Sequence, residues 1–285
     1  MIQSMTGYGK SIVQLPTKKI SIELKSLNSK NLDLNARMPS MYREKELPIR
    51  KFVASNLTRG KIDFSLYVEM TGEETSSQIN EGVLKKYMDQ LKNIVHASDT
   101  ELLKMAIKMP DALKTEREEI DEKEWKLIDT EIQNTVDKIQ NYRLEEGKAL
   151  EKDFLLRIRN INILLNQVID LDPDRIESVR MRLEKSITEL KERVDENRFE
   201  QELIYYLEKL DINEEKVRLT NHLDYFLQTL ETPDSNGKKL GFIVQEMGRE
   251  INTTGSKANF APMQKAVIQM KNELEQIKEQ ILNVL

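Results

Sequence analysis

No cysteine occurs anywhere in the 285 residues. That single absence excludes a disulfide framework, a thiolate metal site, a zinc finger and a thiol nucleophile, and it fits a reducing cytoplasm best. Histidine is nearly as scarce, with two copies. The opening MIQSMTGYGK lacks the apolar core of a signal peptide, and no apolar run approaches the length that crosses a bilayer. The expectation is therefore a chain that stays in solution and has no membrane partner. A phosphate-cradling Walker loop, a dinucleotide fingerprint, an HExxH pair and a GxSxG elbow are missing too. Several enzyme classes go with them, and carboxylate chemistry is what remains.

Charge, by contrast, is abundant: 33% of the residues are charged and 39% hydrophobic, the balance of a chain rich in exposed helix. The net charge of −5 conceals an asymmetry. Residues 1–70 hold twelve Lys and Arg against six Asp and Glu, an excess of +6 that leaves −11 for the rest. Cations spread along a segment in this way can hold a phosphate backbone without reading its sequence, and ordinary surface charge is the alternative. Lys25, Arg37, Arg59 and Lys61 are the candidates for such contacts.

Alternation predicts strands first. Ile20, Ile22 and Leu24 face one way and Ser21, Glu23 and Lys25 the other; Leu32, Leu34 and Ala36 repeat the pattern before Pro39 closes it. A helix over 42–57 and a further alternating run, Ile62 to Val68, complete a small α+β unit, with 71–77 as a polar link. The rest reads as helix. Short helices are expected over 81–97 and 101–108, and Met109-Pro110 breaks the pattern before a longer helical stretch from Glu122. Phe154, Ile158, Ile161, Leu165 and Val168 form one apolar stripe, and Ile176, Val179, Leu183, Ile187, Leu190 and Val194 another. Pro173 between them, with Asp172 as its N-cap, predicts an antiparallel hairpin of two long helices. The fold class is α+β in three segments: 1–72 a basic N-terminal domain, 78–197 a helical region with the hairpin, and 198–285 a helical domain holding the candidate site.

Two amphipathic helices carry that site. In the first, expected from Ile212 with capping chemistry from Asp211 and Glu214, the buried stripe runs Ile212, Leu219, Leu223, Phe226 and Leu230, and Glu215, Arg218 and His222 share its flank. In the second, Leu240, Ile243, Val244, Met247 and Ile251 are the stripe, and Glu246 and Glu250, one turn apart, project from its edge beside Arg249. Asn252 to Gly255 should end this helix and expose Ser256 and Lys257 on a turn. Oxygen donors with one nearby imidazole suit a hard cation, Mg²⁺ or Mn²⁺. A solvated acidic face is the plainer alternative. The last helix, opened by Pro262, shows a seam from Met263 to Val284 that needs a partner within the chain or in a neighbouring subunit, and with the hairpin it predicts an oligomer.

The same residues resemble a known family. Ile2 to Gly9, Lys25-Ser26-Leu27-Asn28, Arg37-Met38-Pro39 and Leu57 to Lys61 look like the N-terminal signature of the bacterial YicC family. Arg198 to Leu203, Asp211, Glu214-Glu215, His222, and Lys239 through Gln245-Glu246, Arg249-Glu250, Asn252 and Ser256-Lys257 look like its C-terminal signature. The resemblance covers the whole chain. It implies a cytoplasmic, divalent-metal-dependent endoribonuclease of RNA decay, assembled as a hexamer and working beside other RNA-decay enzymes. It also implies roles: Glu215, Glu246 and Glu250 as ligands of Mn²⁺ or Mg²⁺, with Glu200, Gln201 or Glu202 as possible replacements; His222 as proton-transfer group or further ligand; and Arg218, Arg249 and Lys257 as phosphate holders. Gly248 departs from the family, which commonly has a larger polar residue there. A non-catalytic RNA-binding scaffold that recruits another nuclease is the competing reading.

Overall fold

The computed structural model describes residues 2–71, 78–114, 120–189, 196–232 and 236–285. In chain order its elements are β1 (Gly7–Gln14), β2 (Lys18–Leu27), β3 (Leu32–Arg37), a 3-10 turn (Ser40–Lys45), α1 (Glu46–Asn56), β4 (Gly60–Met70), β5 (Gln78–Ile79), α2 (Glu81–Lys92), α3 (Asp99–Ala106), β6 (Leu113–Lys114), α4 (Glu122–Glu189), α5 (Glu196–Lys209), α6 (Asn213–Leu230), α7 (Gly237–Lys257) and α8 (Ala261–Ile281). The α+β class stands. None of the described helices is long and apolar enough to cross a membrane. Most of the expected 71–77 link, together with Leu190 and Val194, lies outside the described residues.

The chain forms two compact units: a sheet unit of Tyr8–Lys25 and Leu32–Ile139, and a helical unit of Met1–Gly7, Ser26–Asn31 and Gln140–Leu285. These do not follow the three sequence segments, because α4 supplies both cores. Its Ile128, Ile132, Val136 and Ile139 are buried with the sheet, and its Phe154, Ile158, Ile161, Leu165 and Val168 with α6 to α8.

In the sheet unit the strand order is β1-β2-β4-β3, with β3 parallel to β4 from Leu32 opposite Gly60 to Arg37 opposite Ser65. A parallel pair needs a crossover, and α1 provides it, burying Ile49 and Val53 on the sheet. Gly60 enters β4 at φ 126°, a conformation only glycine adopts without strain. Ile20, Ile22, Leu24, Ile62, Phe64 and Leu66 are buried, as their alternation requires. Strand β1 is the element that alternation misses. Its inward residues are Gly9, Ser11 and Val13, too small and polar to mark a period, and a Cβ on Gly9 would stand 2.5 Å from the Thr135 carbonyl oxygen.

The expected helical hairpin is not formed. One helix, α4, continues through Pro173. Proline inside a helix removes a backbone hydrogen bond and costs about 3 kcal/mol. Buried polar contacts on the following turn offset that cost. Asp172, read from the sequence as a cap, instead accepts from Arg175 Nε at 2.7 Å and from Lys216 Nζ at 2.8 Å, while Arg175 Nη1 donates to the Leu210 carbonyl at 2.9 Å. Val168 and Val179 are buried on either side. The buried face thus continues across the proline through Val168, Asp172, Arg175 and Val179, leaving Ile176 of the expected stripe exposed, and a turn there would have broken it.

Helices α6, α7 and α8 close the helical unit. α6 begins at Asn213, whose N–H donates to Asp211 Oδ1 at 3.1 Å, one residue beyond the expected start. α7 does not end at Gly255 but continues to Lys257. Gly255 is a packing residue, since a Cβ there would lie 2.9 Å from Val267 Cγ1 of α8. Gly248 plays the same part, with Leu274 Cδ2 3.3 Å from where its Cβ would be. The α8 seam, Met263, Val267, Met270, Leu274, Ile277 and Ile281, is buried within the chain. It therefore offers no free surface to a neighbour, and that part of the argument for an oligomer falls away.

Burial alone would raise the Asp172 carboxyl, but the hydrogen bonds and charges of Lys216 and Arg175 outweigh it and hold the group below the usual carboxylate range. Replacing Asp172 with Asn should destabilise the protein at neutral pH by about 2–4 kcal/mol, because the buried Arg175 loses its anion. A folded pKa below the unfolded one gives stability that is complete above about pH 4 and is lost as pH falls through the folded value. Urea unfolding of parent and variant from pH 7 to pH 2 should therefore show a gap that closes only on the acid side; a gap independent of pH would refute the ion-pair account.

Candidate active site and nucleic-acid interface

Only 231–236 connects α6 to α7, and near their far ends Lys257 Nζ donates to Glu215 Oε1 at 2.7 Å. The two helices are consequently an antiparallel pair. Counting seven residues, about two turns, inward from that contact on each helix brings His222 level with Glu250. Glu215, 5% exposed, and Glu250, 8% exposed, are both buried, whereas His222 is half-buried.

Glu215 is only partly satisfied. Oε1 has the Lys257 ammonium, but Oε2 is buried without a hydrogen-bond partner. Carboxylates are almost never fully buried unless paired, and the lone pairs of Oε2 are left open to a cation or a water. Neither the Glu250 carboxylate nor the His222 ring makes a hydrogen bond among the described residues. The Glu250 carbonyl, however, accepts from Thr254 Oγ1 at 2.8 Å.

Of the remaining candidates Glu246 is half-buried and the others lie at the surface. Glu246 pairs with Arg249 at 3.1 Å and Arg218 with Glu214 at 2.5 Å. Arg218 and Arg249 are well exposed and can turn toward an anion. Glu200, Gln201 and Glu202 are exposed on α5. Among the described residues no three His, Asp or Glu side chains gather where one ion could touch them all. The structure thus joins Glu215 to Lys257 and Glu246 to Arg249, and the helix register brings His222 to the level of Glu250, but it does not draw Glu215, Glu246 and Glu250 into one chelate. The donors are nevertheless the hard oxygens and imidazole that Mg²⁺ or Mn²⁺ accept, and Mg²⁺ is commonly held by one or two carboxylates plus substrate phosphates and water.

In the sheet unit, Lys25 on β2, Arg37 on β3 and Lys61 on β4 are exposed, and Arg59 is half-buried in the turn before β4. Lys25 and Arg37 line one shallow depression with Glu23, Asp63, Ser65 and Tyr67. Lys25 lies 4.0 Å from Glu23, while Arg37 and Lys61 have no ion pair or hydrogen bond among the described residues.

Sequence reasoning missed the cluster of Asp172, Arg175 and Lys216. The signal was present in Asp172 and Arg175, three apart on one helical face, but the proline between them pointed to a helix start.

A sheet with outward cations and a helical hairpin with partly satisfied buried carboxylates define a two-unit α+β protein, and each unit's signature has counterparts. The family model described as endoribonuclease YicC-like, N-terminal region, matches residues 2–152, and the model described as endoribonuclease YicC-like, C-terminal, matches residues 168–285. The chain belongs to this YicC-like endoribonuclease family. It is 32% identical to a probable endoribonuclease YicC of Clostridioides difficile (strain 630) over the full length of both chains. It is also 28% identical, again over both full lengths, to a probable endoribonuclease YicC of Haemophilus influenzae.

The Lys257 contact yields a test of whether that lysine serves the fold. Lys257→Met would leave both Glu215 oxygens buried without a partner and should cost about 2–3 kcal/mol, with most of it recovered in the Glu215→Gln/Lys257→Met double variant. Denaturant titration of the four-protein cycle measures the coupling. Additive effects would show that Lys257 does not stabilise Glu215.

Proposed function

We propose that the protein is a divalent-metal-dependent endoribonuclease whose catalytic groups are on the α6–α7 hairpin. The observation that supports this most directly is Glu215 Oε2, a buried carboxylate oxygen with no partner, on a hairpin that also buries Glu250. Family membership supplies the reaction, cleavage of RNA phosphodiester bonds. Glu215, Glu246 and Glu250 would supply ligands to Mg²⁺ or Mn²⁺ singly, with substrate phosphates and water completing the shell rather than a three-carboxylate chelate; when bound, the ion polarises a phosphoryl oxygen and lowers the pKa of an attacking hydroxyl or water. His222, level with Glu250, moves the proton. Arg218 and Arg249 hold flanking phosphates from exposed positions, and Lys257 adds a cation beside Glu215.

The sheet unit carries the second part of the proposal. Lys25, Arg37, Arg59 and Lys61 hold the phosphate backbone of RNA, a contact that depends on charge rather than on base sequence. The protein works in the cytoplasm as a hexamer, beside other enzymes of RNA decay. Leu155, Ile169 and Ile176, exposed along one line of α4 at multiples of seven residues, support association with further copies of the chain.

Two measurements test this reading. Glu246→Gln, Glu250→Gln and His222→Ala, each confirmed as folded by circular dichroism, should bind RNA as the parent does but lose cleavage across a Mn²⁺ titration, the histidine variant by about 10²–10⁴-fold. Cleavage by all three at the parent's rate would remove the site assignment, and cleavage by the parent in chelator would remove the metal. Binding without cleavage by the parent would leave the RNA-binding scaffold. The Arg59→Ala/Lys61→Ala variant should weaken RNA binding and flatten its salt dependence by about one unit of slope or more, with sequence preference unchanged. A binding titration from low to high salt with the parent's slope retained would place the backbone contacts elsewhere.

A further inference from the structure

The structure points to the open face of the four-stranded sheet as a stacking platform for single-stranded RNA, with Tyr8 and Tyr67 as the base-stacking side chains; this rests on the reading of RNA as substrate. One face of the sheet is closed by the buried side chains of β2 and β4. The strand order β1-β2-β4-β3 brings to the opposite face, in a row, Tyr8, Lys25, Tyr67 and Arg37. Tyr8 is 41% exposed and Tyr67 53% exposed, so neither ring is engaged by the core. The tyrosines stand two strands apart, about 10 Å across the sheet, within the span of one short oligonucleotide.

Their surroundings suit a polynucleotide. Lys25 Nζ lies 5.7 Å from the centre of the Tyr8 ring, so a cation flanks the stacking surface. Beside it the depression of about 170 Å³ is lined by Lys25, Arg37, Ser65 and Tyr67 as well as by Glu23 and Asp63. The two carboxylates are already engaged: Glu23 by Lys10 at 2.7 Å, and Asp63 by the Asn35 amide at 3.0 Å. Arg37, across the β3–β4 ladder from Ser65, keeps its guanidinium for a phosphate or for stacking on a base. Aromatic rings interleaved with cations on a sheet face bind unpaired bases of any sequence, because every base has a π-face, while a duplex keeps its bases stacked inside and presents only phosphates. The backbone contacts proposed above account for charge; the tyrosines add a preference for single strands.

The test is a fluorescence titration of the full chain with a short single-stranded RNA carrying 2-aminopurine and with the same sequence as a duplex. Tyr8→Ala/Tyr67→Ala should weaken single-strand binding by roughly tenfold or more and abolish the stacking change in 2-aminopurine emission, leaving duplex binding and the salt slope unaltered. Tyr8→Phe/Tyr67→Phe, which keeps the rings, should behave as the parent. Parent-like single-strand affinity and emission in the alanine variant, with the parent still cleaving RNA, overturns the platform and leaves the ribonuclease reading in place. A parent that neither binds nor cleaves RNA overturns both. A fall in oligomeric mass in the alanine variant with RNA binding retained identifies the face as a contact between copies and also overturns the platform.

Discussion

Arg143 is the residue on which the helical unit is built. Its side chain is only 2% exposed, and burial lowers its pKa. From α4 it donates through Nη2 to the Met5 carbonyl and to Ser26 Oγ, which in turn donates to the same Met5 carbonyl, and its own backbone oxygen accepts from the Ser4 N–H. One guanidinium thus gathers three distant stretches of chain. Taking a cation out of water is costly, and its Nε has no hydrogen-bond partner, so the arrangement is tolerated for the geometry it fixes more than for its energy. Around it, the Gly147 Cα approaches so closely that a Cβ would stand 2.1 Å from the Ile2 carbonyl oxygen, and Thr6 Oγ1 donates to Glu146 at 2.7 Å.

The candidate site depends on the same kind of constraint one layer further out. Gly255 on α7 lets α8 approach where a Cβ would collide with Val267, and Gly248 leaves room for the close-packed Leu274 side chain. That close approach settles the rotation of α7. With Leu240, Val244, Met247 and Ile251 committed to the core, Glu250 and Lys257 are carried toward α6, and Glu246 is left at the edge beside Arg249. The burial of Glu215 and Glu250 is therefore a consequence of helix packing and not of a pocket shaped around them.

Sequence periodicity made β2, β3, β4, α6 and the stripes of α7 and α8 legible, since each has apolar residues repeating at two or at three and four. It failed where the interior residue is not apolar. β1 turns Gly9 and Ser11 inward, and the α4 face across Pro173 continues through Asp172 and Arg175, so both were invisible to a hydrophobic pattern. Local rules also misread two glycine and proline signals, because a Gly near a helix end and a Pro after an Asp have tertiary uses that spacing cannot distinguish from a cap. Of the candidate site, the side chains themselves were legible. The pairing of Glu215 with Lys257 was not, for it joins residues 42 apart on different helices, and a sequence cannot show which carboxylate oxygen is left without a partner.

The pairing of Ile2–Met5 with the last residues carries a consequence for the order in which the protein forms. Ser4 bridges Val284, the Leu285 N–H donates to the Gln3 carbonyl and the Met5 N–H to the Asn283 carbonyl, and the Gly237 N–H donates to Leu285. Contacts between residues some 280 positions apart carry a large loop-closure entropy and close late. The residues of the sheet unit end at Ile139 and can assemble as they leave the ribosome, whereas the Ile2–Met5 segment of the helical unit stays unpaired until residues 283–285 have been made. During that interval Ile2 and Met5, both destined for the interior, are exposed, and synthesis rather than equilibrium stability becomes the stage at which this chain is most open to misassembly.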